Sequence, residues 1–239
     1  MKAHVSVDDV IYSFMELSEK KPKSVFDLGF YKHLKEMNNR YKTVFTLYAF
    51  ENYGEKFFVD SVAQKYIQEL EEAEFIKIGF HGTFFPSDYE VFTQKCDRLY
   101  SILPERVYAE TIRLHKYEAD KDKIEYMKKY NATTFLCRED ESRKIKDFPP
   151  SYFFSKEEEN RLGINPCQIN DLDYVKTSIR LEFYTLEQLE NKLVNLTASA
   201  DKNSILAIYT HERLYHEYMA HMEIVCKSIA ENYNVDFTF

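Results

Sequence analysis

The sequence predicts an α/β protein, a distorted parallel (β/α) barrel of about seven strands. Three observations carry this expectation. Short runs rich in β-branched and aromatic residues alternate with amphipathic helical stretches along the whole 239-residue chain. Alternation of this kind calls for a parallel sheet with helical crossovers. Several of the strands also end in an acidic residue or a histidine, where α/β barrels gather their chemistry. Closure into a barrel follows from the number of units, not from periodicity itself. No internal repeat and no linker divides the chain. One domain over residues 1–239 is therefore expected, a length common for such barrels and ample for a sizeable core.

The elements follow in order. Ala3 to Val7 reads as a strand that stops at Asp8-Asp9, and Ile11, Phe14, Met15 and Leu17 then recur at helical spacing. A second helix is expected from Phe26 to Tyr41, with Leu28, Tyr31, Leu34 and Met37 on one face. Thr43 to Phe50 is a buried strand, Val59 to Leu70 an amphipathic helix, and Phe75 to Phe80 a strand that stops at His81-Gly82. A helix from Asp88 to Leu103, capped by Ser87, precedes a strand from Val107 to Leu114 that ends at His115. Lys121 to Tyr130 is helix and Thr133 to Cys137 strand. Residues 138–172 break the pattern. They hold Pro149-Pro150, Gly163, Pro166 and many charges, and read as a long loop excursion over one end of the barrel, with a short helix near Lys156. Ser178 to Leu181 is a short strand, Leu186 to Leu196 a helix, and Ile205 to Tyr209 a strand ending at His211. A last helix from Tyr215 to Tyr233 and a closing strand from Val235 to Phe239 complete the chain.

Composition excludes some functions. The net charge is −8, with Lys and Arg interleaved among Asp and Glu, so no basic stripe for nucleic acid exists. The four cysteines form no C-x-x-C pair, which argues against a zinc knuckle or thioredoxin-type site. Asp8, Asp9 and Glu16 interrupt any signal-like apolar stretch, and no apolar run reaches the roughly 20 residues of a membrane helix. A cytoplasmic protein with free thiols is expected. The 19 Tyr and 19 Phe suit either a core or a carbohydrate-facing cleft.

Asp8, Asp9, His81, His115 and His211 all directly follow expected strands, and so converge on one face of a barrel although they are distant in sequence. Histidine and aspartate together suit a divalent metal, zinc first, with iron, cobalt or nickel as alternatives. Singly, each such residue reads as well as a loop residue or cap; their coincidence favours a site. His211, Glu212 and His216 are not a zincin H-E-x-x-H motif, because the second histidine lies five residues after the first. His216 and His221 read as ordinary helix residues, and Cys137 as a strand residue with nothing nearby to activate it.

These residues carry a resemblance. Val5-Ser6-Val7-Asp8-Asp9-Val10 resembles the first motif of the NodB-type polysaccharide deacetylases, where a strand delivers an Asp-Asp pair. Gly79-Phe80-His81-Gly82-Thr83 resembles their second motif, Ile112-Arg113-Leu114-His115 the arginine-bearing motif, and Ile208-Tyr209-Thr210-His211-Glu212 the late histidine motif. Thr177, Arg180 and Glu182 are similar to a segment of divergent bacterial members linked to surface-polysaccharide synthesis. Order and approximate spacing hold over nearly the whole chain. The resemblance implies a metal-dependent hydrolase acting on an acylated carbohydrate. Asp8 would be the base, Arg113 its partner and His211 the general acid; Asp9 and His81 would hold the metal. Phe84 and Tyr117 would wall the cleft, unless they pack in the core, and Glu212 and Asp140 would line it. Arg138, Glu139 and Glu141 make a solvated charge cluster the other reading of Asp140. The family's second motif carries another metal-binding histidine four residues after the first, where this chain has Phe85; His115 is the alternative third ligand. Two further readings stay open: an inactive barrel that binds a glycan or protein, and a metal-free enzyme using Asp8 and His211 as an acid–base pair.

Overall fold

The computed structural model describes residues 1–145, 148–233 and 235–239. Strand β1 (Lys2–Val10) leads into helix α1 (Tyr12–Lys20), and α2 (Gly29–Tyr41) returns to β2 (Phe45–Ala49). A small antiparallel ribbon of β3 (Asn52–Tyr53) and β4 (Phe57–Phe58) precedes α3 (Gln64–Glu72) and β5 (Ile76–Phe80). Then come α4 (Tyr89–Ser101), β6 (Thr111–Ile112), α5 (Lys121–Met127) and β7 (Thr134–Cys137). The long connection holds α6 (Asp140–Ile145) and α7 (Lys156–Asn160) and ends in β8 (Cys167–Ile169). Strands β9 (Leu172–Lys176) and β10 (Ile179–Arg180), helix α8 (Leu186–Ser199), β11 (Ile205–His211), α9 (Tyr215–Asn232) and β12 (Asp236–Thr238) follow. No helix among the described residues is long and apolar enough to cross a membrane.

The main sheet runs β10-β11-β1-β2-β5 in parallel, with β12 also beside β1; a second path runs β6-β7-β9-β8, antiparallel only at β8. Two features join them. Ile78 and Tyr108 form a parallel bridge between β5 and the approach to β6. On the other side the chain crosses from one path to the other within a few residues: Thr177 N donates to the Cys137 carbonyl at 2.9 Å and Ser178 N to the Ala207 carbonyl at 2.9 Å. With β9 and β10 taken as one bent strand, seven strands among the described residues run around the fold, in line with the about seven expected.

The central strands are enclosed on both faces. Every residue of β2 is buried, as are Ala3 to Asp8 on β1, the mark of a parallel sheet covered by helices. Most buried apolar side chains form one cluster between strands and helices. A second, small cluster joins Tyr48, Leu136, Val175 and Ala207, one each from β2, β7, β9 and β11, and plugs the interior of the ring. Gly79 makes room for this plug, since a Cβ there would meet the Tyr48 ring at 2.9 Å.

The structure departs from the expected elements locally. Asp88, not Ser87, caps α4, accepting the Val91 N–H at 2.9 Å. The strand expected over Val107–Leu114 shrinks to Thr111–Ile112, because Glu105–Val107 coil into a 3₁₀ turn. Strand β9 was not foreseen: Asp173 and Lys176 disguise a segment whose Leu172, Tyr174 and Val175 are buried. The 138–172 excursion is largely ordered and pinned down, as where Ser151 N donates to Glu159 at 2.8 Å; Lys146 and Asp147 within it lie outside the described residues.

Candidate active site

Adjacent residues on a regular strand point to opposite faces, so Asp8 and Asp9 should not serve one site. The structure resolves this with a kink. Asp9 takes a left-handed conformation (φ 59°), and the β1–β2 register shifts between Val7 and Val10. Aspartate tolerates this backbone better than most residues, and such strain gathers at functional positions. Both carboxylates then reach the mouth of the barrel.

Asp9, His81 and His115 offer donor atoms within 4.8 Å of one another. His81 Nε2 and His115 Nδ1 lie 3.3 Å and 3.2 Å from Asp9 Oδ1. That oxygen is buried, yet neither contact is aligned as a hydrogen bond. Three donor atoms thus converge on a common point rather than bonding each other. His81 Nδ1 donates to the Arg113 carbonyl at 2.7 Å, which leaves the Nε2 lone pair facing Asp9. The backbone ties the group together: His115 N donates to the His81 carbonyl at 2.6 Å, and His81 N to Ala49 at 2.8 Å. Burial pushes the Asp9 carboxyl up, but His115 and His81 beside it prevail and hold it well below the usual carboxylate range. Burial pushes His115 down towards the neutral imidazole that ligates metals. Burial also opposes a charge on His81, but the carboxylates of Asp9 and Asp8 beside it prevail and push its imidazole above the ordinary value. One carboxylate and two imidazoles around an orphaned buried oxygen fit zinc and its neighbours. Phe85 has no part in this set; it stands 72% exposed.

Asp8 belongs to a different circuit. Arg113 Nη1 donates to its two carboxylate oxygens at 3.1 Å and 3.3 Å, and both residues are buried. Arg113 Nη2 also donates to Thr177 Oγ1 at 3.2 Å, and its guanidinium lies 3.9 Å over the Tyr209 ring. Asp8 pairs in register with His211 on β11. His211 Nδ1 donates to Glu182 Oε1 at 2.9 Å, and the same oxygen accepts the His211 N–H and the Thr210 hydroxyl, each at 2.9 Å. Arg180 Nε reaches the other Glu182 oxygen at 3.2 Å. Burial pushes the Glu182 carboxyl up, but His211 and then Arg180 draw it down to about 2. Glu182 is thus a fixed carboxylate that orients the His211 ring through Nδ1.

The remaining expected site residues divide. Phe84 stacks on His115, with ring centroids 5.7 Å apart at 17°, and lines a pocket of about 750 Å³ together with Asp9. Tyr117 is buried, and its hydroxyl donates to Glu139 at 3.2 Å, so its phenol faces inward rather than walling a cleft. Glu212 also turns inward. Its carboxylate accepts the backbone N–H groups of Ile11, Tyr12 and Ser13 at 2.7, 2.6 and 2.8 Å, capping the start of α1 rather than facing a substrate. Asp140 is exposed and paired with Lys176 at 3.1 Å. Two residues gain a place that the sequence reading did not give them. Glu182 serves His211. Glu139, read as part of a solvated cluster, is buried and accepts the hydroxyls of Tyr117 and Tyr209, each at 3.2 Å. Arg138, from the same run, is buried too.

No family model matches this chain, and no curated protein matches it in sequence. Solved structures do match it in fold. The 4-alpha-glucanotransferase from Thermococcus litoralis aligns with 100% of this chain at TM-score 0.60 and 10% identity; the chain spans 39% of that enzyme. The Bc1960 peptidoglycan N-acetylglucosamine deacetylase aligns with 99% of this chain and 85% of its own, at TM-score 0.51 and 11% identity. The fold that the resemblance of the Asp8-Asp9, His81, Arg113 and His211 motifs implies is therefore the fold observed: the chain has the α/β architecture of the polysaccharide deacetylases.

Proposed function

We propose that this protein is a metal-dependent hydrolase that removes an acyl group, N-acetyl in the simplest case, from a carbohydrate, with surface-polysaccharide synthesis as its setting. One observation carries the reading: Asp9, His81 and His115 converge beside an Asp8 held by Arg113, with the Glu182–His211 pair on the neighbouring strand. The likeness in fold to a peptidoglycan N-acetylglucosamine deacetylase supports it.

A zinc, iron, cobalt or nickel ion held by Asp9, His81 and His115 would polarise the acyl carbonyl and make water more acidic. The chain's own residues do the rest. Asp8, oriented by the charge-assisted bonds of Arg113, takes the proton of the attacking water as the new C–O bond forms. His211, oriented by Glu182, gives a proton to the departing nitrogen as the C–N bond breaks. The products are a carboxylic acid and a free amine on the sugar. Asp8 and His211 approach this work from adjacent strands, in register.

A second reading is favoured by Phe85, a residue unable to bind metal where the resembling family has a histidine: a barrel that binds a glycan or protein without hydrolysis. Elemental analysis of the purified protein beside Asp9→Ala and His81→Ala separates the two. Near-stoichiometric metal that both substitutions abolish is expected. A wild type that stays empty after incubation with all four metals would sink the hydrolase reading and favour the binding module.

A further inference from the structure

Nine large apolar side chains are exposed among the described residues, and five of them (Tyr12, Tyr53, Phe84, Phe85 and Val91) line a pocket that Asp9 also lines. Exposed apolar groups gathered in this way mark a binding surface. Tyr12 and Tyr53 form one wall, with ring centroids 5.6 Å apart, and Phe84 and Phe85 another, at 5.0 Å. Phe50 joins the pocket to the metal-binding residues: it touches Phe84, His81 and His115, with centroids 5.7, 5.1 and 5.1 Å away. The volume of about 750 Å³ suits a sizeable small molecule, far larger than the methyl of an acetyl group.

The polar groups at the Phe84–Phe85 side of this pocket are already engaged, and its charged groups stand at the exposed rim. The Thr83 hydroxyl donates to the Phe85 carbonyl at 2.6 Å and lies 3.1 Å from that of Ser87. Lys95 is held by Asn52 and the buried Glu51. Lys56 and Arg213 are exposed. A buried sugar ring needs partners for several hydroxyls, and each one left unpaired is costly. An alkyl chain needs none and gains from every methylene it buries.

We infer that the pocket beside Asp9 receives a medium-chain fatty acyl group, so that the substrate is an N-acyl sugar whose chain is much longer than acetyl. The inference rests on the hydrolase reading for its chemistry: the amide C–N bond is the one broken, the chain leaves as a fatty acid and the amine stays on the sugar. The pocket's preference for an apolar chain is a matter of binding and is testable apart from turnover.

The probes are N-octanoyl-glucosamine and N-acetyl-glucosamine, titrated calorimetrically into the Asp8→Asn protein, which keeps the pocket without consuming the ligand. Each methylene taken from water adds roughly two- to fourfold in affinity, so the octanoyl compound should bind at least about 50-fold tighter. Phe85→Ala with Tyr53→Ala, exposed positions outside the proposed metal-binding set, should cut that advantage at least about tenfold. Equal binding of the two probes, or an advantage that these substitutions do not reduce, overturns the inference. Release of free acid by the metal-loaded wild type tests the hydrolase reading separately. Acetate release with no chain-length preference in binding sinks the inference and spares the reading. Tight octanoyl binding with no acid released from either probe sinks the reading and leaves the pocket assigned.

Discussion

Two buried histidines neighbour the Tyr48 ring, and their surroundings push them in opposite directions. His81, at the mouth of the barrel, stacks on Tyr48 at 6.0 Å; His4, further down β1, lies 6.2 Å from the same ring. Both are enclosed, His4 at 0% and His81 at 2% exposure, so burial opposes a positive charge on each. At His4 the nearby charge of Arg113 adds to that opposition, and the imidazole is driven down to about 3. At His81 the carboxylates of Asp9 and Asp8 reverse it. With one aromatic neighbour and near-equal burial, the two histidines are thus separated only by the charges that face them. The lesson is that the mouth is marked by which charges face inward there, not by histidine or burial alone.

The comparison breaks first at the two aspartates. Asp8→Asn should lower kcat on an N-acyl sugar by about 10³-fold while the protein still holds metal, because general-base loss typically costs two to four orders of magnitude. Loss of metal from Asp8→Asn in elemental analysis would mean that the two carboxylates form one site, not two circuits. A smaller effect is expected from Glu182→Gln. The amide still reaches His211 but no longer fixes its tautomer by charge, so kcat should fall about 10- to 100-fold with metal content and substrate binding unchanged. A kcat within twofold of wild type would remove His211 from the acid role.

How far the sequence disclosed this arrangement depends on how each residue is carried. The rule that polar residues just after a strand share the mouth singles out Asp8, Asp9, His81, His115 and His211, and the structure brings all five to it. The same rule covers Glu182, one residue past its expected strand, but no spacing indicates that its partner lies 29 residues away on β11. Glu139 was hidden by its neighbours, because a run of charges reads alike whether it is solvated or folded over a barrel mouth. Glu212 misled by adjacency to His211; at a strand end successive side chains diverge, and this one dives under α1 to cap it. Strand β9 escaped because its buried positions are interrupted by Asp173 and Lys176, a pattern that also describes a loop.

His4 should give the smallest effect, and on stability rather than turnover. The Tyr48 hydroxyl donates to the Thr111 carbonyl at 2.8 Å, so His4 Nε2, 3.0 Å from that hydroxyl, must be the donor, and the ring is held neutral. Its folded pKa of about 3 lies below the ordinary 6.5 that it regains on unfolding. Between those values the unfolded chain binds a proton that the folded chain refuses. Stability from His4 is therefore complete above pH 6.5 and is lost as pH falls towards 3. By pH 5 the loss amounts to about 2 kcal/mol. His4→Gln, which cannot take up a proton, should lack this part of the acid limb in urea melts at pH 7, 6 and 5, with metal content and kcat at pH 7 unchanged. If wild type and variant lose stability in parallel over that range, His4 is protonated in the folded protein, and the contrast with His81 fails. If instead the variant loses metal, the floor and the mouth are coupled through Tyr48, and the two histidines belong to one network.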